Sequence, residues 1–502
     1  MWLVWASDMK LHQPSIAFSR PATLYYLLTY TIAFTMGAGI SILLHHLDPT
    51  IGILAVGGVI FLLIMGTLQL LGADVLFGPV LALSLMIPLN LNLASGWLTF
   101  YSYDLAIGAV YILWLWQIFQ GKTLLPRLRR REIPILLMLI WFALSGVWGI
   151  DPVTSLDALL FYLRMFLIYF YVANRTDDRL ALKLLLGSLL LLIVVESSVG
   201  FIQYATKTNL GSIPDLVGKR TGIARTIPLE PTSYQGSLFR VRGTLAYDTQ
   251  LAHWYELLLP LALSLGLAVS KPRDKIFLLG LFGAGTVGIV LTFTRGGWLG
   301  LALSVIMMVL LFNRRRILSL RPLVQLVGLA ILLGALLLPL WGLISGRLFA
   351  SVPQTELVRA RLNEAALKMV VSHPIFGVGL DNFASYSLNY GFSATFAASG
   401  SKVHNLFLAI ASETGIVGLL LFLWVISNLL RAALQVTEHP NPLVAATAIG
   451  ILAGTAGVLA HGVVAWGVLT YVVYPLFWLL MGTAFALQYG YAKTRMRSSP
   501  HE

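Results

Sequence analysis

Long apolar segments constrain this chain more than any other feature of its sequence. A helix needs about 20 apolar residues to cross the hydrocarbon core of a bilayer, and about fourteen segments approach that length. They lie at about 21–45, 50–71, 74–94, 101–120, 133–149, 154–173, 181–204, 248–270, 275–294, 297–313, 323–345, 404–430, 442–464 and 467–490. A helix satisfies its backbone hydrogen bonds internally, so these segments predict an all-α polytopic membrane protein. Because 133–149 is short and 275–313 can be divided differently, we expect about 12–14 transmembrane helices.

Composition excludes a soluble globular protein. Of the 502 residues, 58% are hydrophobic and 11% are charged, whereas a soluble domain carries roughly 25% charged residues. The net charge of +13 would also suit nucleic-acid binding, but the basic residues lie in short loops between apolar segments, as membrane topology requires. The absence of cysteine excludes disulfides and thiolate chemistry. The N-terminus lacks a cleavage-site pattern, so we expect no removable signal peptide.

Alternate connections differ in charge, and this difference predicts the orientation of the chain. Lys and Arg are concentrated in short loops on the cytoplasmic side of membrane proteins. The basic connections lie at 121–132, 174–183, 271–275 and 313–322 and in the tail at 493–497. The other short connections are nearly free of basic residues, with Arg295 as the exception. We therefore predict that both termini are cytoplasmic and that the number of crossings is even.

Two long connections fall on the opposite, outer side of the membrane, and long connections are commonly functional or disordered. They divide the chain into N-terminal transmembrane helices (1–204), a first outer loop (205–247), central transmembrane helices (248–345), a second outer loop (346–403), and C-terminal transmembrane helices with a cytoplasmic tail (404–502).

The second outer loop contains an amphipathic pattern. Within 355–374, apolar residues recur at helical spacing at Val358, Leu362, Ala365 and Met369. Glu364 and Lys368 form an i,i+4 pair, and Pro374 ends the pattern. We expect an amphipathic helix lying at the outer interface. The G-x-G in 377–383 does not indicate a nucleotide-binding loop, because no strand precedes it.

The stretch "VHNLFLAIASETGIVG" at 403–418 places polar residues in an apolar segment. On a continuous helix, one face would hold His404, Leu408, Ala411, Gly415 and Gly418. Small residues let membrane helices approach closely, so we expect a packing seam that fixes His404 at the outer surface. His404 is then a candidate functional group or an ordinary interfacial histidine. Glu413, roughly 13 Å further in, faces protein or water and has either a structural partner or a catalytic role.

Arginines on the outer side are candidate anion ligands. Arg240 and Arg242 lie in "SLFRVRGTLAYDTQLAHWYE" (237–256), and Arg295 lies in the short turn "TFTRGGWLG" (292–300). Arginine binds phosphate or carboxylate oxygens through a planar, bidentate fork and stays charged at every relevant pH. We predict an anion-binding role for Arg242 and Arg295. Arg359 and Arg361 on the amphipathic helix either add to this cluster or are solvated or headgroup-facing charges, and we favour the second interpretation.

These stretches, taken in order, resemble the O-antigen ligase family of bacterial membrane glycan transferases, which includes O-antigen polymerases and protein O-oligosaccharyltransferases. "HNLFLAIASETGIVG" fits the H-N-x9-G-x-x-G pattern of that family. "RVRGTLAYDTQLA", "TFTRGGW" and "RLNEAALKMVVSHPIFGVGLDNF" are similar to its other recurrent stretches. Many relatives carry an Asn-type residue where this chain has "YDTQ" (247–250). The resemblance covers roughly 200–430.

The resemblance implies a GT-C-like fold whose two long loops are periplasmic, in the bacterial inner (cytoplasmic) membrane. It implies inverting, metal-independent transfer of a glycan from undecaprenyl diphosphate to an acceptor hydroxyl, with lipid A-core as acceptor in a ligase and a second lipid-linked repeat in a polymerase. Carried over to this chain, Arg242 and Arg295 would bind the diphosphate and His404 would activate the acceptor. Asn405 adjoins His404, and Glu256 and Glu413 are the next candidate bases. No cofactor and no nucleic-acid partner are implied.

Two further expectations follow from the residues. A transporter or lipid-glycan flippase commonly has repeated halves with binding groups near the midplane, whereas the candidates here lie on one side, which favours an enzyme. We also find no His/Asp/Glu cluster at metal-ligand spacing on the outer side, and therefore expect transfer without a metal ion.

Overall fold

A computed structural model describes residues 61–69, 74–85, 90–92, 99–123, 126, 128–176, 179–209, 234–235, 238–314, 320–349, 353–393 and 402–498. The chain divides into two units, Met1–Thr67 and Leu68–Glu502. In the first unit the described residues, 61–67, are helical. The predicted membrane segment at 21–45 and the first half of the one at 50–71 lie outside the described residues, as does most of the first long loop.

Helices dominate the second unit. The described residues form α1 (Phe77–Ser84), α2 (Ser102–Phe119), α3 (Ile133–Val147), α4 (Pro152–Arg175), α5 (Arg179–Thr206), α6 (Asp248–Ala268), α7 (Pro272–Leu291), α8 (Arg295–Phe312), α9 (Leu320–Leu337), α10 (Trp341–Phe349), α11 (Pro353–Ser372), α12 (Phe383–Tyr386), α13 (Leu406–Val436), α14 (Pro442–His461) and α15 (Tyr474–Ser498). Two short antiparallel pairs accompany them: β1 (Asn90–Asn92) with β2 (Thr99–Tyr101), and β3 (Tyr234–Gln235) with β4 (Leu238–Phe239).

Nine helices within the described residues are long and apolar enough to cross a membrane. They span Ser102–Phe119, Pro152–Arg175, Arg179–Thr206, Asp248–Ala268, Pro272–Leu291, Arg295–Phe312, Leu323–Gly346, Leu406–Val436 and Pro442–His461. The prediction of an all-α polytopic membrane protein is therefore confirmed. The total of about 12–14 helices stays a prediction, because part of the N-terminal region lies outside the described residues. Ile133–Val147, with 15 residues, is shorter than a full span.

Helix α6 is the central element of the second unit. It packs against α7, α8 and α14, and α14 in turn packs against α8. In an 18-residue window of α6, 89% of the residues are buried, more than in any other candidate span of the described chain. Polar side chains on such a helix face protein on all sides rather than lipid. They therefore need partners from the neighbouring helices.

The chain breaks helical geometry at Gly415, inside α13, where φ is 73° and ψ is 178°. This backbone region is open almost only to glycine. A Cβ here would also overlap the carbonyl oxygen of Ile375. Residues 374–379 lie in the break and supply the backbone hydrogen bonds that the helix loses there: Val378 N–H to Ser412 O (2.9 Å), Gly379 N–H to Glu413 O (3.0 Å) and Ile416 N–H to Pro374 O (2.8 Å). Irregular backbone at membrane depth is tolerated where protein satisfies it in this way.

The predicted continuous helix over 404–430 is therefore wrong in two respects. The helix begins at Leu406, and Asn405 is its N-cap, with Oδ1 accepting a hydrogen bond from Leu408 N–H at 3.0 Å. His404 thus precedes the helix. Gly415 does not belong to a seam between helices, since its neighbour is the backbone of 374–379.

The amphipathic helix predicted over 355–374 corresponds to α11, which ends at Ser372 just before Pro374. Leu362, Ala366 and Met369 are buried and pack against Val403 and Ala409 at the start of α13. Val358, expected on the same face, is 47% exposed. The Glu364–Lys368 ion pair is present at 2.7 Å. The apolar face of α11 therefore holds the helix against the chain around His404.

Candidate functional site

The loop that carries Arg242 is held by two polar side chains of α5. Glu196 accepts hydrogen bonds from Thr244 N–H at 2.9 Å and from its hydroxyl at 2.5 Å. The Gln203 side-chain oxygen accepts from Arg242 N–H at 3.1 Å. Arg242 itself is 4% exposed, and its Nη1 donates to the Ala246 carbonyl at 3.2 Å. The loop thus presents a buried, charged guanidinium from a fixed backbone.

Arg240 joins this loop to the turn that precedes α8. Its side chain forms an ion pair with Asp248 and donates to the Thr292 carbonyl at 2.8 Å and to the Thr294 hydroxyl at 3.2 Å. This network gives the Arg240 side chain three partners within the protein. It also gives Asp248, in the "YDTQ" stretch, a partner in this chain. Through these contacts the loop of Arg242 and the turn before Arg295 are brought together.

Arg295 is the first residue of α8 and is half-buried. Its backbone lies at a helix N-terminus, where the free backbone N–H groups and the helix dipole favour an anion. Arg295 and the start of α8 therefore form a positively charged end of the bundle.

His404 lies at the same end of the bundle. Leu406 N–H donates to the Gly462 carbonyl at 2.7 Å, which ties the chain after His404 to the end of α14. Within the described residues, Nδ1 of His404 is buried and makes no hydrogen bond. Burial lowers the pKa of His404, and the positive charge of Arg359 lowers it further, against a smaller opposing effect of the Lys402 backbone. The imidazole is therefore neutral at neutral pH, with a ring nitrogen available to a ligand.

Arg359 and Arg361 differ in their surroundings. Both were expected to be solvated, and Arg361 is indeed exposed. Arg359 is half-buried, and its charge acts on His404 and on His461. Arg359 is therefore not the fully solvated charge that was the favoured interpretation, because α11 packs against the start of α13. A supporting part for Arg359 and Arg361 at the site stays a prediction.

A buried cluster of His253, Glu256 and His461 lies beside these residues. One ligand-type atom of each lies within 4.8 Å of the others. His461 Nδ1 is 2.8 Å from Glu256 Oε1, and the rings of His253 and His461 stack with centroids 4.3 Å apart. The sequence was expected to hold no such cluster at metal-ligand spacing on the outer side, and the fold brings together three residues that this expectation did not consider. His253 and Glu256 stand at i and i+3 in "HWYE", which is a readable signal, but His461 is 205 residues beyond Glu256.

Glycines from two other elements make room for this cluster. A Cβ on Gly296 would overlap the His461 ring, and one on Gly300 would lie 2.7 Å from Glu256 Oε1. A Cβ on Gly467 would lie 2.7 Å from His253 Cε1. The glycines after Arg295 therefore let α8 approach the three side chains closely.

Glu413 has a different role, because it has a cationic partner. Lys402 Nζ lies 3.5 Å from Glu413 Oε1 and 2.5 Å from Asp381 Oδ1. The backbone N–H of Asp381 donates to Glu413 Oε2 at 3.2 Å. The structural partner weighed for Glu413 from the sequence is therefore present. This set of contacts, which we call the Glu413 junction (Asp381, Lys402 and Glu413), fastens the segment after 374–379 to α13.

Comparison with known families identifies the central part of the chain. The family model for O-antigen ligase matches residues 279–423. This chain carries an O-antigen ligase domain. The resemblance predicted from the sequence is thus confirmed over these residues, and the match supports a membrane glycan transferase of the O-antigen ligase or polymerase type. A comparison with curated proteins found no match to the chain.

The O-antigen ligase domain contains some of the site residues and excludes others. It spans α8, α11 and the first part of α13, and so includes Arg295, Arg359, His404 and Glu413. Arg242 and the cluster of His253, Glu256 and His461 lie outside the matched range. The fold brings the two groups together, because α6 and α14 pack directly on α8.

Proposed function

We propose that this protein transfers a glycan from undecaprenyl diphosphate to an acceptor hydroxyl on lipid A-core, at the periplasmic face of the inner membrane. Arg242 and Arg295 bind the diphosphate, and His404 accepts the proton of the acceptor hydroxyl. The observation that carries this proposal is the buried Nδ1 of His404, which makes no hydrogen bond within the described residues, at the end of the bundle where Arg295 begins α8.

The arginines meet the main chemical need of the reaction. A lipid diphosphate is already a good leaving group, so catalysis requires stabilisation of the negative charge that develops as it departs. Fixed positive groups in a water-poor site provide such stabilisation without reorganisation. Arg242 is held in place by its buried loop, and Arg295 acts together with the N-terminus of α8.

His404 supplies the proton acceptor. Burial and Arg359 keep its pKa below the ordinary value, so the imidazole is neutral when the acceptor binds. The acceptor oxygen forms a bond to the anomeric carbon while the bond from that carbon to the diphosphate oxygen breaks. The proton passes to His404, and a single displacement inverts the anomeric centre. The step draws on no metal ion.

The candidate site residues lie together at one end of the helix bundle, and this placement favours a transferase over a transporter or flippase. The stretches around Arg242, Arg295 and His404 are joined through Asp248, Thr294 and Gly462, rather than lying as two related half-sites near the midplane. A polymerase would share the donor and the site and would differ in its acceptor.

Cysteine labelling tests the side of the membrane, since the native chain contains no cysteine. A cysteine at Lys122, in a basic connection, should resist a membrane-impermeant thiol reagent added from outside. A cysteine at Val464, exposed between α14 and α15, should react. The reverse pattern would overturn the periplasmic assignment.

His404→Ala tests the chemistry. In proteoliposomes with lipid-linked donor, the variant should bind donor like the wild type, and single-turnover transfer should fall by roughly 10²–10⁴-fold, the typical contribution of a general base. His373→Ala is the matched control, because His373 contacts Tyr386 instead of the site. Assays with lipid A-core and with a second lipid-linked repeat distinguish ligase from polymerase. Weakened donor binding with normal transfer at saturating donor would make His404 a phosphate ligand and contradict its role as base.

A further inference from the structure

The cluster of His253, Glu256 and His461 is rich in acceptors and poor in donors. His253 Nδ1 lies 2.7 Å from the Thr249 carbonyl, an acceptor, so Nδ1 carries the hydrogen and Nε2 carries a lone pair. Within the described residues, that Nε2 is buried and has no hydrogen-bond partner. His253 is 0% exposed, so water at the protein surface does not reach it.

Glu256 and His461 show the same imbalance. His461 Nδ1 and Glu256 Oε1 share one hydrogen bond at 2.8 Å, which leaves His461 Nε2 and Glu256 Oε2 outside it. The second carboxylate oxygen, Oε2, is buried and has no hydrogen-bond partner among the described residues. Glu256 is 0% and His461 is 5% exposed. Burying such groups unpaired is costly, and a cation is the ligand that satisfies several acceptors together.

We propose that His253, Glu256 and His461 bind one divalent first-row metal ion, with Zn²⁺ as the first candidate. Two imidazoles and one carboxylate form a donor set that Zn²⁺ accepts. Bonds of about 2.0–2.2 Å place ligand atoms within roughly 4.4 Å of one another. The three ligand-type atoms lie within 4.8 Å of one another. The rings of His253 and His461 stack with centroids 4.3 Å apart, so binding of one ion requires the rings to turn until a lone pair of each points at it. The hydrogen bond from His253 Nδ1 to the Thr249 carbonyl orients the ring, as backbone carbonyls do for histidine ligands in many metal sites.

The ion would have a structural role that supports the transferase site. It would join the second turn of α6 to the last residue of α14. The next residue, Gly462, accepts the hydrogen bond from Leu406 N–H that positions the chain at His404. Metal binding itself does not depend on the proposed transfer reaction, so the two proposals fail separately.

Metal content of the purified protein tests the site. Protein expressed in medium supplemented with Zn²⁺ and purified in detergent should contain about one metal ion per chain by mass spectrometry of the elements. His253→Ala and the isosteric Glu256→Gln should lower that content at least tenfold, whereas His373→Ala, outside the cluster, should not. Metal content below one tenth of an ion per wild-type chain after supplementation with Zn²⁺, Co²⁺, Mn²⁺ or Ni²⁺ would overturn the proposal.

A spectroscopic measurement on the wild type avoids dependence on the folding of the variants. Protein expressed with Co²⁺ should show visible d–d absorption from an ion bound by nitrogen and oxygen ligands. Added Zn²⁺ should abolish that absorption by displacement. Co²⁺ that binds without a d–d spectrum distinct from that of the hydrated ion, or a spectrum that is unchanged in Glu256→Gln, would contradict binding at this cluster.

Discussion

Two buried carboxylates, Glu256 and Glu413, lie in the membrane-spanning helices with almost equal exposure, 0% and 5%. Glu413 has a cation and a backbone donor, since Lys402 and the N–H of Asp381 approach its two oxygens. Glu256 has one partner, His461, and its second oxygen has none within the described residues. Burial alone therefore does not tell a carboxylate that stabilises the fold from one that serves a ligand. The hydrogen-bond and ion-pair partners of each carboxylate do.

The two carboxylates also differ in the parts of the fold that surround them. The Glu413 junction stabilises the place where 374–379 enter the break in α13. The surroundings of Glu256 instead contain two histidines and glycines that allow close approach of α8. We therefore interpret the first region as support for the fold and the second as support for a bound ligand. Four predictions test this contrast, in order of decreasing effect.

Gly415→Ala should have the largest effect, because the region of φ and ψ at Gly415 costs a residue with Cβ roughly 1–3 kcal/mol before its overlap with Ile375 is added. We expect little folded protein after detergent extraction, measured by size-exclusion chromatography. Gly187→Ala is the control, since a Cβ there meets no atom within 4 Å. A monodisperse Gly415→Ala with wild-type melting temperature would show that the break is dispensable.

Arg295→Ala and Arg242→Ala should lower transfer by roughly 10²–10³-fold, the usual effect of removing one donor to a developing negative charge. Protein level should remain at wild-type values. Arg295→Lys should also transfer poorly, because an ammonium does not reproduce the bidentate fork. The measurement is single-turnover transfer with saturating lipid-linked donor. Wild-type transfer by Arg295→Ala would remove the diphosphate role from this end of the bundle.

Glu413→Gln and Glu256→Gln compare the two carboxylates directly. Glu413→Gln removes a charged partner of Lys402 and should lower the free energy of unfolding by roughly 1.5–3 kcal/mol, the range for a hydrogen bond to a charged group. The measurement is thermal unfolding in detergent, with metal content determined on the same samples. Glu413→Gln should keep its metal ion, and Glu256→Gln should lose it. Equal metal content in both variants would abolish the distinction drawn here.

Arg359→Ala should have the smallest effect, a shift in the pH dependence of transfer. The neutral form of His404 is the active base, so the wild-type rate falls as pH decreases through the pKa of His404, which lies below the ordinary value of 6.5. Arg359→Ala removes a positive charge that holds this pKa down, so the fall should move to higher pH. Arg361→Ala, on an exposed position, should leave the profile unchanged. Identical profiles for both variants would place Arg359 away from His404.

The local sequence was sufficient to predict the membrane class and several elements of the site. Runs of apolar residues predicted α2, α4, α6 and α14 within a few residues of their bounds, because hydrophobic length alone decides whether a helix suits a bilayer. The motif around His404 and the turn with Arg295 predicted the O-antigen ligase domain. These are local properties of the chain, and they do not depend on how helices pack.

Other features required the tertiary structure. Gly415 fits the spacing of a helical face, and only the insertion of 374–379 shows that it breaks the helix. Arg240 and Arg242 are two residues apart in the sequence, yet Arg240 pairs with Asp248 and Arg242 donates to the Ala246 carbonyl.

The sequence by itself determined that this chain is a membrane protein with an O-antigen ligase domain at 279–423 and with arginines and a histidine as candidate site residues. The tertiary structure decided which buried charges are already neutralised by partners and which are not. His461 shows most clearly why the sequence does not reveal these partners, since it contacts Glu256, which is 205 residues away in the chain. Apolar periodicity determines which face of a helix is buried, but it contains no information about the polar group that a distant helix places opposite. That placement arises only when α6, α8 and α14 pack together.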